Sequence, residues 1–488
     1  MTQSSVEPRT TAEDAGSGSR TPAGRSWLDR YFHISERGST VATEIRGGVT
    51  TFMAMAYILL LNPLILSGKD VDGNALSQPA LITATALAAA ATTLLMGFWG
   101  KVPLALAAGL SVSGVMASQV VPVMTWPQAM GMSVAYGAVI CLLVVTGLRE
   151  MIMNAIPLAL KHAITIGIGL FIAIIGFVKA GFVHENPAPG GGPVVLGPAG
   201  ELAGWPVLIF AVTLLLIFAL QARNVPGAIL IGIVAGTVLA VVLNAFADIP
   251  AKAWFSGPPE LDGSAVSAPD FSLLGHVSFT GWGDVGYITV TMIVFTLVLA
   301  GFFDAMATIL GVGTEAKLAD DKGRMPGLSK ALFIDGAGGV IGGAGGASGQ
   351  TVFVESATGV GEGARTGLAS VVTGGFFALC LFFTPLTAIV PQEVAAAALV
   401  VIGSMMMQNA KHVDWSDRSV AIPVFLTVVL MPFTYTITTG VAAGVISYAV
   451  IKTAQGKARE VGAFMWALTA VFVVYFAIHP IESWLGVG

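Results

Sequence analysis

From about residue 45 to residue 480 the chain alternates long apolar runs with short polar breaks. A run of about twenty apolar residues matches the thickness of a bilayer's hydrocarbon core when it is helical. The pattern predicts spans at 45–66, 80–98, 103–120, 129–149, 160–180, 205–221, 225–247, 287–311, 328–346, 351–363, 366–389, 393–409, 418–452 and 461–480. The run 418–452 is too long for one straight span, and Met431-Pro432-Phe433-Thr434-Tyr435 predicts a break that turns it into a hairpin. The pattern therefore predicts an all-α polytopic membrane protein of about fourteen segments. Seven spans precede a long linker rich in Pro and Gly, after which the pattern restarts. An odd number of spans before a restart inverts the second half against the first, the arrangement of secondary transporters.

The positive charges orient these spans. Arg20, Arg25, Arg30, Arg37 and Arg46 precede the first, which places the N-terminus in the cytoplasm, while 181–204 and 248–286 are nearly free of Lys and Arg and fit the outside. Composition agrees: 55% of the 488 residues are hydrophobic and only 10% are charged, against roughly 25% charged in soluble domains. The continuous runs exclude a β-barrel, which shows short alternating segments. Net charge is −5, too small to imply nucleic acid as a partner, so the expected surroundings are the lipid bilayer. Cys141 and Cys380 sit inside apolar runs and read as packing residues. The polar stretch 1–29 has no apolar core of a signal peptide and reads as a disordered cytoplasmic tail, with Tyr31–Glu44 as an amphipathic helix on the membrane surface.

Three acids fall in or against apolar runs within 52 residues: Asp304, Asp335 and Glu355. A charge in a bilayer is expensive and marks a site by default. Residues 343–363 read GAGGASGQTVFVESATGVGEG, too glycine-rich for an ordinary helix, since each interior Gly costs about 1 kcal/mol against Ala. The expected shape is an extended stretch over Gln350–Val354 and a half-helix from Glu355 onward, whose first N–H groups are free to meet a ligand. There a carboxylate accepts from ring N–H groups of a planar heterocycle, and the free amides donate to its carbonyls. Gln350, Thr351 and Ser356 add polar groups; a helix-packing role for the glycines is the competing reading. Asp304 has Thr308 one turn on, on the same face, and reads as a substrate ligand or a proton-linked acid. Asp335 reads as a support for the glycine-rich stretch or a proton shuttle, and Glu362 and Arg365 as a local ion pair. Ala107–Gly114 is the corresponding broken segment of the first half, offering Ser111 and Ser113, and Asn62-Pro63 predicts the end of the first helix.

The six histidines form no ligand-spaced set, so no metal is expected, and the chain lacks a phosphate-binding loop for ATP. No cofactor is expected. Coupling to an ion gradient follows, with protons favoured by the internal acids and sodium left open.

The pattern resembles the nucleobase–ascorbate (nucleobase:cation symporter-2) superfamily, and within it the AzgA-like adenine/guanine/hypoxanthine permeases. The match begins at Glu44–Ile58 and Asn62-Pro63 and continues through Gly147–Glu150, Asn154–Pro157 and Gly167–Ala173. It is densest at Phe303–Thr308, Lys330–Leu332, Asp335 and Val354–Val360, then Glu362–Leu368 to Pro385, and closes at Ile422-Pro423 and Met431–Tyr435. The resemblance implies two inverted seven-segment repeats with UraA-like core and gate domains and short extended stretches in segments 3 and 10. On this chain it implies core parts at 30–152 and 287–390, gate parts at 153–250 and 391–488, and an extracellular linker at 251–286. It further implies proton-coupled uptake of purine bases across the plasma membrane, often by a homodimer. Asp304 and Glu355 then contact the base, with Asp335 near them. The expected pocket also includes Ser356, Thr308, Ser113, Ser111, Phe303, Phe353 and Gln350, with Phe302, Phe303 and Phe353 packing on the base's faces, and the proton passes through Asp304, Asp335 or Glu355. The third segment departs from the family: the usual proline and asparagine are missing from Leu106–Gly114, which leaves xanthine, uric acid or uracil as alternative substrates and an anion exchanger of the same fold as a weaker one.

Overall fold

The computed structural model describes residues 26–148, 156–186, 194–197, 201–202, 204–247, 249–254, 258–259, 264–316, 318 and 327–485. Of the tail expected over residues 1–29, residues 1–25 lie outside them, while Ser26 caps helix Trp27–Phe32, so helical structure begins before residue 29. Among the described residues eight helices are long and apolar enough to cross a membrane, and shorter apolar helices accompany them.

Local signals explain several boundaries. Helix Trp126–Val145 opens on a capping box between Thr125 and Gln128, with Pro127 in its first turn. Helix Leu328–Gly345 stops at Gly346, whose φ of 80° a side chain would disfavour. The long run near the C-terminus is two helices, Arg418–Thr434 and Ile437–Ala454, parted at Tyr435 in the left-handed region (φ 54°). The first segment breaks differently from expectation. Helix Ile58–Ile65 continues through Asn62 and Pro63, and the interruption falls at Ala56 and Tyr57, after helix Val41–Met55.

The third and tenth segments are each half strand, half helix. Strand Leu106–Ala108 leads into helix Leu110–Val115, and strand Gln350–Val352 leads into helix Ser356–Gly361. The strands pair antiparallel, with Leu106 opposite Val352, Ala107 opposite Thr351 and Ala108 opposite Gln350. Flanking bonds extend the pairing: the Phe353 amide donates to the Ala105 carbonyl at 3.0 Å, and the Gly109 amide donates to the Gly349 carbonyl at 2.9 Å. Backbone that is not helical thus finds its partners across the two halves of the chain.

Helix Leu328–Gly345 packs against Trp126–Val145, and Gly367–Cys380 packs against Gln78–Leu95 and Val41–Met55. Elsewhere Leu158–Lys179 packs on Gln392–Met406 and Arg418–Thr434. Glycine makes the first of these contacts close: a Cβ on Gly137 would lie 2.6 Å from the Val340 nitrogen and 2.7 Å from the Gly336 carbonyl oxygen. The glycines before 345 therefore serve helix packing, whereas Gly346 and Ser348 (φ 64°) turn the chain into the strand.

Candidate functional site

Glu355 stands at the N-terminal cap position of helix Ser356–Gly361, three residues beyond the strand crossing. Its carboxylate is half-buried and accepts a hydrogen bond from the Tyr57 hydroxyl, 298 residues away in sequence. Tyr57 lies at the break in the first segment and is buried. The Phe353 ring, also buried, sits with its centroid 6.5 Å from that of Tyr57. Glu355, Tyr57 and Phe353 thus form one cluster of a carboxylate, a phenol and an apolar ring at the start of a half-helix. A carboxylate there can accept from a ring N–H, and the ring can pack on a flat heterocycle.

The crossing is held by buried polar side chains. Asp335, on helix Leu328–Gly345, accepts at Oδ1 from the Thr351 hydroxyl at 2.9 Å and from the Val352 amide at 3.1 Å. This is the support for the glycine-rich stretch that its position suggested. Ser356 is a tie across the crossing: its hydroxyl accepts from the Ala105 amide at 3.0 Å and donates to the Phe353 carbonyl at 2.7 Å. Ser113 donates to Asn62 Oδ1 at 2.7 Å and lies 2.8 Å from the Ser348 hydroxyl. Asn62 in turn donates to Thr85 Oγ1 at 2.9 Å and to the Ala347 carbonyl at 3.0 Å. Ser356 and Ser113, expected among the ligands, therefore spend their hydroxyls inside the protein.

Ser111 and Gln350 differ. Both are buried, and neither Ser111 Oγ nor Gln350 Oε1 has a partner among the described residues, while Gln350 Nε2 donates to the Ser348 carbonyl at 3.1 Å. The amides of Leu110, Ser111 and Val112 likewise have no acceptor among the described residues, as the first turn of a helix leaves them. Thr308 is buried on helix Tyr287–Glu315. The side chains of Phe302, Phe303 and Asp304, on the same helix, lie outside the described residues.

At the cytoplasmic end of the half-helix, the expected Glu362–Arg365 pair gives way to a different arrangement. Glu362 pairs with Arg46 at 2.9 Å, and the Arg365 guanidinium donates to the Val360 and Ala364 carbonyls at 2.6 and 2.7 Å. Buried Glu44 accepts from the amides of Arg365 and Thr366 at 2.8 and 3.2 Å. Arg365 satisfies carbonyls at and beyond the end of the half-helix, and Glu44 accepts the amides that lead into helix Gly367–Cys380, so each group meets backbone partners in place of the expected pair. Among the described residues no group of three or more His, Cys, Asp or Glu could hold a metal ion.

Sequence reasoning missed Tyr57, Asn62, Ser348 and Glu44. Tyr57 and Glu44 fall inside the quoted run Glu44–Ile58, but nothing local names their partners.

A model described as Permease family matches residues 42–443, most of the chain and both half-segments. The chain belongs to this permease family. It is accordingly a multi-pass membrane transport protein and not an enzyme. It is 36% identical over 456 residues to the guanine/hypoxanthine permease PbuG of Bacillus subtilis, covering 92% of this chain and 99% of that one. It is 35% identical over 455 residues to the adenine permease AdeP of Escherichia coli, covering 93% and 96%. Among solved structures, the transmembrane domain of the cyanobacterial bicarbonate transporter BicA aligns with a TM-score of 0.59 at 18% identity, covering 82% of this permease and 97% of that domain. That likeness shows a shared fold.

Proposed function

We propose that this permease is a secondary transporter that carries purine nucleobases into the cell by alternating access, driven by protons. The observation that carries the reading is the Glu355 carboxylate beside Phe353 at the start of a half-helix, in a chain whose relatives are named for adenine, guanine and hypoxanthine. Glu355 accepts a ring N–H, Phe353 packs on the base, and the unpartnered Leu110–Val112 amides and Ser111 hydroxyl supply donors from the opposing half-segment. Asp304 is the second ligand and, with Glu355, the group that takes the proton. Asp335 holds the crossing. Segments 1–4 and 8–11 move as a core against a gate built from the rest; the separate packing of Leu158–Lys179 with Gln392–Met406 and Arg418–Thr434 supports that division. The altered third segment favours xanthine, uric acid or uracil as the second reading.

The test is uptake of labelled hypoxanthine in a transporter-deficient bacterial strain, with adenine, guanine, xanthine, uric acid, uracil and cytosine as competitors. Saturable uptake that Glu355→Gln and a proton uncoupler both abolish is expected. Absence of uptake above the empty vector, with the protein verified in the membrane, sinks the purine assignment.

A further inference from the structure

We infer that Tyr57 is the positioning residue for Glu355: its hydroxyl holds one carboxylate oxygen and leaves the other available to the substrate. The inference rests on the reading that Glu355 binds the base. Three observations carry it. The amides of Ser356, Ala357 and Thr358 already donate to the Phe353, Val354 and Glu355 carbonyls, so the first turn offers the Glu355 side chain no free amide; Glu355 makes no capping bond and accepts from the Tyr57 hydroxyl. Tyr57 is 1% exposed, so its hydroxyl needs a protein partner there.

The mounting is also rigid. The first segment lies tight against the half-helix through Gly47: a Cβ there would come within 2.6 Å of the Ala364 Cβ and 2.8 Å of the Gly359 carbonyl oxygen. Phe353, with its ring tilted 47° to that of Tyr57, stands beside the phenol. Two small-residue faces thus set the distance between backbones, and the phenol bridges what remains. Without the hydroxyl, the carboxylate loses the bond that fixes its orientation and the base loses an oriented acceptor.

The experiment is a double-mutant cycle on the full-length protein purified in detergent, reading the Kd of radiolabelled hypoxanthine and of adenine. The four proteins are wild type, Tyr57→Phe, Glu355→Gln and the double variant. Phe keeps the ring and its packing, and monodisperse elution checks each fold. The expected result is binding about ten-fold weaker in Tyr57→Phe, the scale of one hydrogen bond to a charged group, with no further loss when the change is made on Glu355→Gln. Equal weakening in both backgrounds overturns the inference in favour of simple packing, and so does an unchanged Kd in Tyr57→Phe. A Glu355→Gln protein that binds like wild type overturns the site itself, a separate result from failure of the Tyr57 role alone.

Discussion

Thr351→Val removes one hydroxyl from the strand crossing and keeps the side chain's shape and its preference for strand. The lost bond is the one to Asp335 Oδ1 at 2.9 Å, between residues 3% and 2% exposed. The Val352 amide at 3.1 Å remains on the same oxygen. A buried hydrogen bond to a charged group contributes about 1.5–3 kcal/mol, and the carboxylate left behind cannot recover it from water. We expect a loss of about 2 kcal/mol, which in a large protein lowers the unfolding temperature by about 2–4 °C. The assay is size-exclusion of detergent-solubilised protein after graded heating. Thr146→Val is the matched control, because its hydroxyl is exposed and bonds only carbonyls of its own helix, Leu142 and Leu143; it should melt with wild type. If Thr351→Val also melts with wild type, the Asp335 clamp does not hold the crossing and the argument fails.

Other tests bear on packing, on a contact between segments and on pH. Gly47→Val should prevent membrane-inserted folded yield, read by a fluorescent fusion, whereas Gly361→Ala meets no atom within 4 Å and should fold. The Thr438 hydroxyl joins three segments, 2.7 Å from Thr296 Oγ1 and 2.5 Å from Gln119 Oε1. Thr438→Val should speed deuterium uptake over residues 116–120 and 437–441, and unchanged uptake would show that the junction carries no load. The Ser419 hydroxyl and amide hold the Asp417 carboxyl below its ordinary value of 3.8. A lowered folded value stabilises above the unfolded one and loses its effect as pH falls through the folded one. The unfolding temperature should therefore be flat in this respect across neutral pH and fall on the acid side, and Asp417→Asn should lower it at neutral pH and converge with wild type at acid pH.

Much of this architecture is written in local pattern. Apolar runs matched to bilayer thickness specified a membrane protein, because burial of a helix in lipid depends on the composition of that helix alone. The glycine-rich stretch before Glu355 specified a strand leading into a half-helix for the same reason: backbone propensity is a property of neighbours in sequence. The pairing of Leu106–Ala108 with Gln350–Val352 was beyond that reach, and so were the bond from Tyr57 to Glu355 and the turn of Ser113 and Ser356 into the interior. All but the 51-residue link from Ser113 to Asn62 join residues hundreds of positions apart, and which donor meets which acceptor follows from how closely the helices approach. The Glu362–Arg365 pair failed for a related reason. Adjacency in sequence put two opposite charges together, but the tertiary structure offered Arg365 the helix carbonyls and Glu362 a partner in the first segment. The residue types were legible in sequence; the division into those that hold the crossing and those left to meet a ligand was decided only by the packed fold.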